Sequence, residues 1–86
     1  MTYRVLIDTR AAKQLEKLPK PIAERIDAAI AALSETPRPT GVKMLQGRLK
    51  PGWRIRVGDY RVLYRIDDAA GEVKIFEVGH RREIYR

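Results

Sequence analysis

The chain has 86 residues, 44% of them hydrophobic, which suffices for one modest core and leaves no room for a second domain or a separate cofactor-binding unit. Eighteen Lys and Arg against eleven Asp and Glu leave a net charge of +7 and a sequence pI near 10.1, so the expected partner is a polyanion or an acidic protein. Cysteine is absent, which excludes thiol nucleophiles, thiolate metal sites and disulfides and fits a reducing cytoplasm; Met1 to Arg10 carries no signal-peptide core, and no apolar run is long enough for a membrane span.

Val5 to Asp8 reads as a short strand, with Tyr3, Val5 and Ile7 on one face. Asp8-Thr9 can cap a helix, and from Arg10 to Leu18 the residues Ala11, Ala12, Leu15 and Leu18 recur at helical spacing. Leu18-Pro19-Lys20-Pro21 breaks that helix, and Pro21 suits the first position of a second one, because a helix start has no use for the missing N–H. Ile22, Ile26, Ala29, Ile30 and Leu33 form its apolar stripe, and Ser34-Glu35-Thr36-Pro37 stops it. Two antiparallel helices joined by a tight turn are implied.

Arg38 to Pro51 has no clear period; Val42, Met44, Leu45 and Leu49 are expected to tuck this loop onto the core. Trp53 to Val57 alternates strictly, Gly58-Asp59 is a Gly-first hairpin loop of type II′, and Tyr60 to Ile66 is the return strand. Asp67 to Gly71 turns into a third strand, Glu72 to Val78, ended by Gly79; the tail His80 to Arg86 is too polar to be more than a short edge or turn.

With Gly58 and Asp59 in the loop, Val57 faces Tyr60, Arg56 faces Arg61, Ile55 faces Val62, Arg54 faces Leu63 and Trp53 faces Tyr64. One side of the hairpin is then a core face of Trp53, Ile55, Val57, Tyr60, Val62, Tyr64 and Ile66. The other gathers Arg54, Arg56, Arg61 and Arg65. Between Arg48 and Arg65 six cations meet a single acid, Asp59, so most of the net charge lies here. A solvated sheet face is the ordinary explanation for a run of charge, but solvated faces mix signs. Like charges placed directly opposite cost about 0.2–1 kcal/mol per pair, and a bound anion offsets that cost. Arginine's planar fork suits phosphate.

The acids are scattered and only Asp67-Asp68 are adjacent, as a turn initiator would be, so neither a metal site nor a cofactor is expected. Ser34 lies at a helix end, and no glycine-rich phosphate loop is present. RNA transesterification by a neighbouring 2′-OH fits what remains: it needs no metal where cations stabilise the phosphorane-like charge and one group relays protons. His80 is either that relay or a strand-end residue bonded to a carbonyl. Tyr85 either stacks on a base and helps proton transfer or anchors the tail to the core.

The block from Trp53-Arg-Ile-Arg-Val-Gly-Asp-Tyr-Arg-Val-Leu-Tyr-Arg-Ile-Asp to Asp68, followed by Val78-Gly-His-Arg-Arg-Glu-Ile-Tyr85, resembles the RelE/ParE superfamily of bacterial and archaeal toxins, and Leu15-Glu-Lys-Leu-Pro19 fits the same pattern. The resemblance spans the whole chain and implies a single RelE-like toxin domain over 1–86. The implied fold is α+β: a small antiparallel sheet, made of the N-terminal strand plus a three-stranded C-terminal meander, packed against an N-terminal two-helix hairpin. RelE-type members are ribosome-dependent endoribonucleases that cut mRNA in the A site; ParE-type members inhibit DNA gyrase and lack the catalytic set.

Carried over by position, Arg54 and Arg56 become backbone clamps and charge stabilisers, and Arg61 and Arg81 ligands of the scissile phosphate. Tyr85 becomes the stacking or relay group. The set favours the RelE type, with Arg48, Lys50, Arg65 and Arg82 as further RNA contacts. The strand pair Arg54 and Arg56 replaces lysines of the best-known members, and arginine is a poor general base, which leaves His80 as a candidate relay. The implied partners are a cognate antitoxin, the ribosome with its rRNA, and mRNA, with operator DNA bound only through the antitoxin complex.

Overall fold

The computed structural model describes residues 2–84. Strand β1 (Arg4–Ile7) leads into helix α1 (Thr9–Glu16), and helix α2 (Lys20–Ala32) follows after a short turn. Asp8 leaves the strand and caps α1, its carboxylate accepting from Ala11 N at 2.9 Å. Pro21 lies in the first turn of α2, where a missing N–H costs nothing. The irregular stretch holds a two-residue strand β2 (Lys43–Met44) and a single 3₁₀ turn (Gly47–Leu49). Strands β3 (Trp53–Val57), β4 (Tyr60–Asp67) and β5 (Glu72–His80) complete the sheet, and helix α3 (Arg81–Ile84) follows. The tail therefore differs from expectation: β5 runs through Gly79 to His80, and the polar residues after it turn into helix.

The sheet order is β1-β5-β4-β3-β2. β2 to β5 are antiparallel, as the meander implied, while β1 joins the last strand parallel, with Val5 opposite Val73 and Ile7 opposite Ile75, so the sheet is mixed. β1 covers only the first part of β5. Beyond it α1 closes the edge, and Gln14 Oε1 accepts from Val78 N at 2.7 Å, satisfying a strand amide that β1 does not reach.

All five hairpin pairs have the expected register. Gly58 takes φ +60° and no other residue of the turn is left-handed, the type II′ pattern that only glycine fills without strain. On one side of the sheet Ile55, Val57, Val62, Tyr64, Val73, Ile75 and Val78 pack with Ala11, Ile26, Ile30 and Leu33 from the helix layer. Tyr64 is fully buried, its hydroxyl donates to Pro37 O at 2.8 Å, and burial pushes its pKa up to about 12. Arg38 completes this strapping of the linker to the sheet: its guanidinium lies 5.2 Å from the Trp53 ring centroid and bonds Asp68 at 2.9 Å. Val42 packs against the core as expected, whereas Leu45 and Leu49 pack with Leu63 and Ile84 in a separate cluster, and Met44 sits on the edge strand at 60% exposure.

β5 contains an irregularity. Leu63 pairs with Glu77 and Tyr64 with Ile75, leaving Phe76 as an extra residue. This bulge changes the parity of the strand, so Val73 and Ile75 before it and Val78 after it all reach the same core.

Candidate active site

The outer face of β3, β4 and β5 is ordered by the ladder, because residues directly opposite one another project to the same side. One transverse row reads Arg56, Arg61, Gly79, and the next reads Lys43, Arg54, Leu63, Glu77. A third pairs Arg65 with Lys74. The four arginines of the hairpin thus share one surface, but it is not a flat solvated face. Leu63 is buried at its centre beneath a small apolar cluster with Leu45 and Ile84, flanked by Leu49 and Phe76. Arg65 stacks over Phe76 with its guanidinium carbon 4.1 Å from the ring centroid.

Arg61 is the most enclosed cation among the described residues, only 6% exposed. Its Nη1 donates to Tyr60 O at 3.1 Å and Gly58 O at 3.3 Å, so the guanidinium is locked against the carbonyls of the hairpin turn. Gly79 opposite carries no side chain, and a Cβ there would lie 3.8 Å from Ile84 Cδ1. Arg81 reaches the same turn from α3. Its backbone N–H donates to Asp59 O at 2.8 Å and its Nε stands 3.9 Å from Asp59 Oδ1. The β3–β4 turn therefore holds Arg61 on one side and Arg81 on another, with Arg56 exposed on the neighbouring strand. Arg61, held by the turn before any ligand arrives, can stabilise developing phosphoryl charge without reorganising, with the more exposed Arg56 and Arg81 beside it.

His80 projects to the opposite face. It pairs with Tyr60, on the core side, the two rings meeting edge to face at 5.4 Å, and its Nδ1 accepts from Arg82 N at 3.1 Å. The bulge sets this parity, and the structure does not bring His80 together with Arg54, Arg56 and Arg61. Arg48 lies exposed on the 3₁₀ turn, Lys50 is exposed at its end, and Arg82 is exposed on α3. Tyr85 falls outside the described residues.

Two groups near this face carry no signal that spacing in the hairpin could give. Arg25 of α2 rests its guanidinium against the turn, since a Cβ on Gly58 would lie 3.6 Å from its Nη1. Glu77 is delivered to the arginine face by the bulge; the interrupted alternation of Val73, Ile75 and Val78 was its only trace in the sequence. Glu77 and Glu83 line a cleft of about 620 Å³ with Arg48 and Leu49. Among the described residues no three carboxylate or imidazole groups converge as a metal site would require, and no helix is long and apolar enough to cross a membrane.

The family model for the ParE toxin of type II toxin–antitoxin systems matches residues 5–85. The chain is 42% identical over 87 aligned positions to the toxin RelG of Mycobacterium tuberculosis, covering 100% of this chain and 99% of that protein. A RelBE-type toxin–antitoxin complex from Mycobacterium tuberculosis superposes with a TM-score of 0.82 at 38% identity, over 94% of this chain and all of that one. The RelE–RelB complex of the archaeon Pyrococcus horikoshii OT3 also gives 0.82, at 32% identity, over 96% of this chain and 99% of that one. With a family model over nearly its whole length, close relatives among named toxins and the same fold in their structures, the chain belongs to the RelE/ParE family of type II toxin–antitoxin toxins.

Proposed function

We propose that this toxin is a ribosome-dependent endoribonuclease that cuts mRNA in the A site by metal-independent attack of a 2′-OH on the adjacent phosphate, acting in the cytoplasm. The observation that carries this reading is the convergence of Arg61 and Arg81 on the β3–β4 turn beside the exposed Arg56. Two guanidinium groups spaced around one turn suit the non-bridging oxygens of a phosphodiester, whose charge grows as the fifth bond to phosphorus forms. Arg61, enclosed and prefixed, acts from a low-dielectric position where its charge is least screened. Arg54 and Arg56 clamp the flanking backbone, and Arg48, Lys50, Arg65 and Arg82 extend the cationic track. Tyr85 stacks on a base or relays a proton. His80, turned to Tyr60, accepts from the Arg82 amide and so anchors the first turn of α3.

The same cationic face suits an acidic antitoxin segment, and antitoxin-bound toxins of this fold support that partnership. Purified toxin incubated with programmed ribosomes is expected to cut mRNA at A-site codons and to leave free RNA intact, and Arg81→Ala to slow cleavage about 10²-fold or more while the protein stays folded. Full cleavage by Arg81→Ala would refute the assignment. The match to a family model named for ParE favours a second reading, inhibition of DNA gyrase without nuclease activity. Loss of gyrase supercoiling together with intact ribosomal mRNA would decide for it.

A further inference from the structure

The arginines of this face cannot accept a proton, yet attack by a 2′-OH requires that its proton leave; Asp59 stands at the hairpin tip beside Arg81, and Glu83 stands on α3. The single carboxylate in the rows around Arg61 is Glu77. It is there because of the bulge: strict alternation from Val73 and Ile75 would bury residue 77 in the core, and the extra residue Phe76 turns it outward. Bulges are common beside active sites, where they re-aim a side chain. Glu77 stands diagonal to Arg61 across the β4–β5 ladder, a relation that sets the two side chains about 7–8 Å apart at their bases on one face of the sheet. Gly79, directly opposite Arg61 and two residues from Glu77 on β5, adds no side chain to this face. The Glu77 side chain is 17% exposed, and its Oε1 lies 3.5 Å from Arg10 Nη2 at the rim of the face.

Resting on the proposed nuclease reading, we propose that Glu77 is the general base. Its carboxylate takes the proton of the 2′-OH, the 2′ oxygen bonds to phosphorus, and the bond from phosphorus to the 5′ oxygen breaks. The leaving 5′ oxygen takes a proton from water, giving a 2′,3′-cyclic phosphate and a 5′-OH, and Glu77 returns its proton to solvent.

The test compares single-turnover cleavage of ribosome-bound mRNA by the wild-type chain, Glu77→Gln, Glu77→Asp and Arg10→Ala, with melting temperatures and ribosome affinities measured alongside. Glu77→Gln is expected to cut about 10²-fold or more slowly with unchanged affinity, Glu77→Asp about tenfold, and Arg10→Ala to stay within about threefold of wild type. An mRNA with sulfur in place of the scissile 5′ oxygen needs no protonated leaving group, so Glu77→Gln stays slow on it, whereas loss of a general acid would be rescued. Rescue by sulfur, Glu77→Gln within about threefold of wild type, or equal slowing in Glu77→Gln and Arg10→Ala would each overturn the proposal. The last result would make the pair a staple between α1 and β5. Should Glu77→Gln fail to fold, Glu77→Asp and Arg10→Ala decide by the same criteria. A wild-type chain that does not cut at all overturns the nuclease reading itself, which no variant result alone does.

Discussion

Replacing Arg61 with alanine sets two opposing effects against each other. The truncation relieves like-charge pairing with Arg56 across the ladder, a gain of about 0.2–1 kcal/mol. It also strips the Gly58 and Tyr60 carbonyls of a charged donor. One Nη1 serves both acceptors, so the loss counts as one charge-assisted bond of about 1.5–3 kcal/mol. At 6% exposure Arg61 is little screened, and the hydrogen bond wins. The net destabilisation is about 1–2 kcal/mol, and at about 4–8 °C per kcal/mol for a domain of this size the melting temperature should fall by about 4–16 °C. Arg61→Lys keeps the charge and one compact donor but loses the fork, and should fall in between. Thermal unfolding followed by circular dichroism, with and without inorganic phosphate, checks both points. Phosphate should raise the wild-type melting temperature by more than that of Arg61→Ala, because a ligand stabilises only the state that binds it. An Arg61→Ala protein that melts at or above wild type would refute the reasoning, since repulsion would then outweigh the bonds to the turn.

Arg38 and Tyr3 hydrogen-bond Asp68 and hold its carboxyl below the usual carboxylate range, so its contribution is complete above about pH 4 and is lost as pH falls through the lowered pKa. Asp68→Asn should therefore flatten stability against pH on the acid side, as urea titrations at a series of pH values would reveal. Burial raises the Tyr64 pKa to about 12, so the wild-type chain should lose stability between about pH 10 and 12, where the unfolded chain has released a proton that the folded one retains. Tyr64→Phe should remove that alkaline slope and cost about 1–3 kcal/mol at neutral pH through the orphaned Pro37 carbonyl, measured by denaturant unfolding. Ile84→Ala should cost about 2 kcal/mol and loosen α3, since Ile84 packs with Leu45 and Leu63 in the outer cluster; faster hydrogen exchange at the Arg81 amide would report it.

The hairpin was legible because one local signal, the glycine-first loop, fixes the register of every pair that follows, and alternation then assigns the faces. The helices were legible from their apolar spacing and from Asp8 and Pro21 at their starts. What escaped depends on contacts distant in sequence. Nothing near β1 says that it lies parallel to β5, because that pairing is decided across more than sixty residues. The bulge was present as a broken alternation, but Phe76 suits either face, so the face of His80 and Glu77 could not be assigned from pattern alone. Helix α3 is too short for periodicity to register, and the enclosure of Arg61 arises from the turn carbonyls it meets. The residue types of the candidate site were thus readable, while its depth and its acid partner were products of packing.

The parallel pairing of β1 with β5 governs when the sheet can be completed. The first strand of the chain finds its neighbour only in the last, so the sheet cannot close while the C-terminal third is still within the ribosome that makes it. Until β5 and the residues after it have been made, Arg61 has no Gly79 opposite it and Arg81 cannot reach the Asp59 carbonyl. The β3–β4 hairpin that carries Arg54, Arg56 and Arg61 is therefore complete before the face it belongs to.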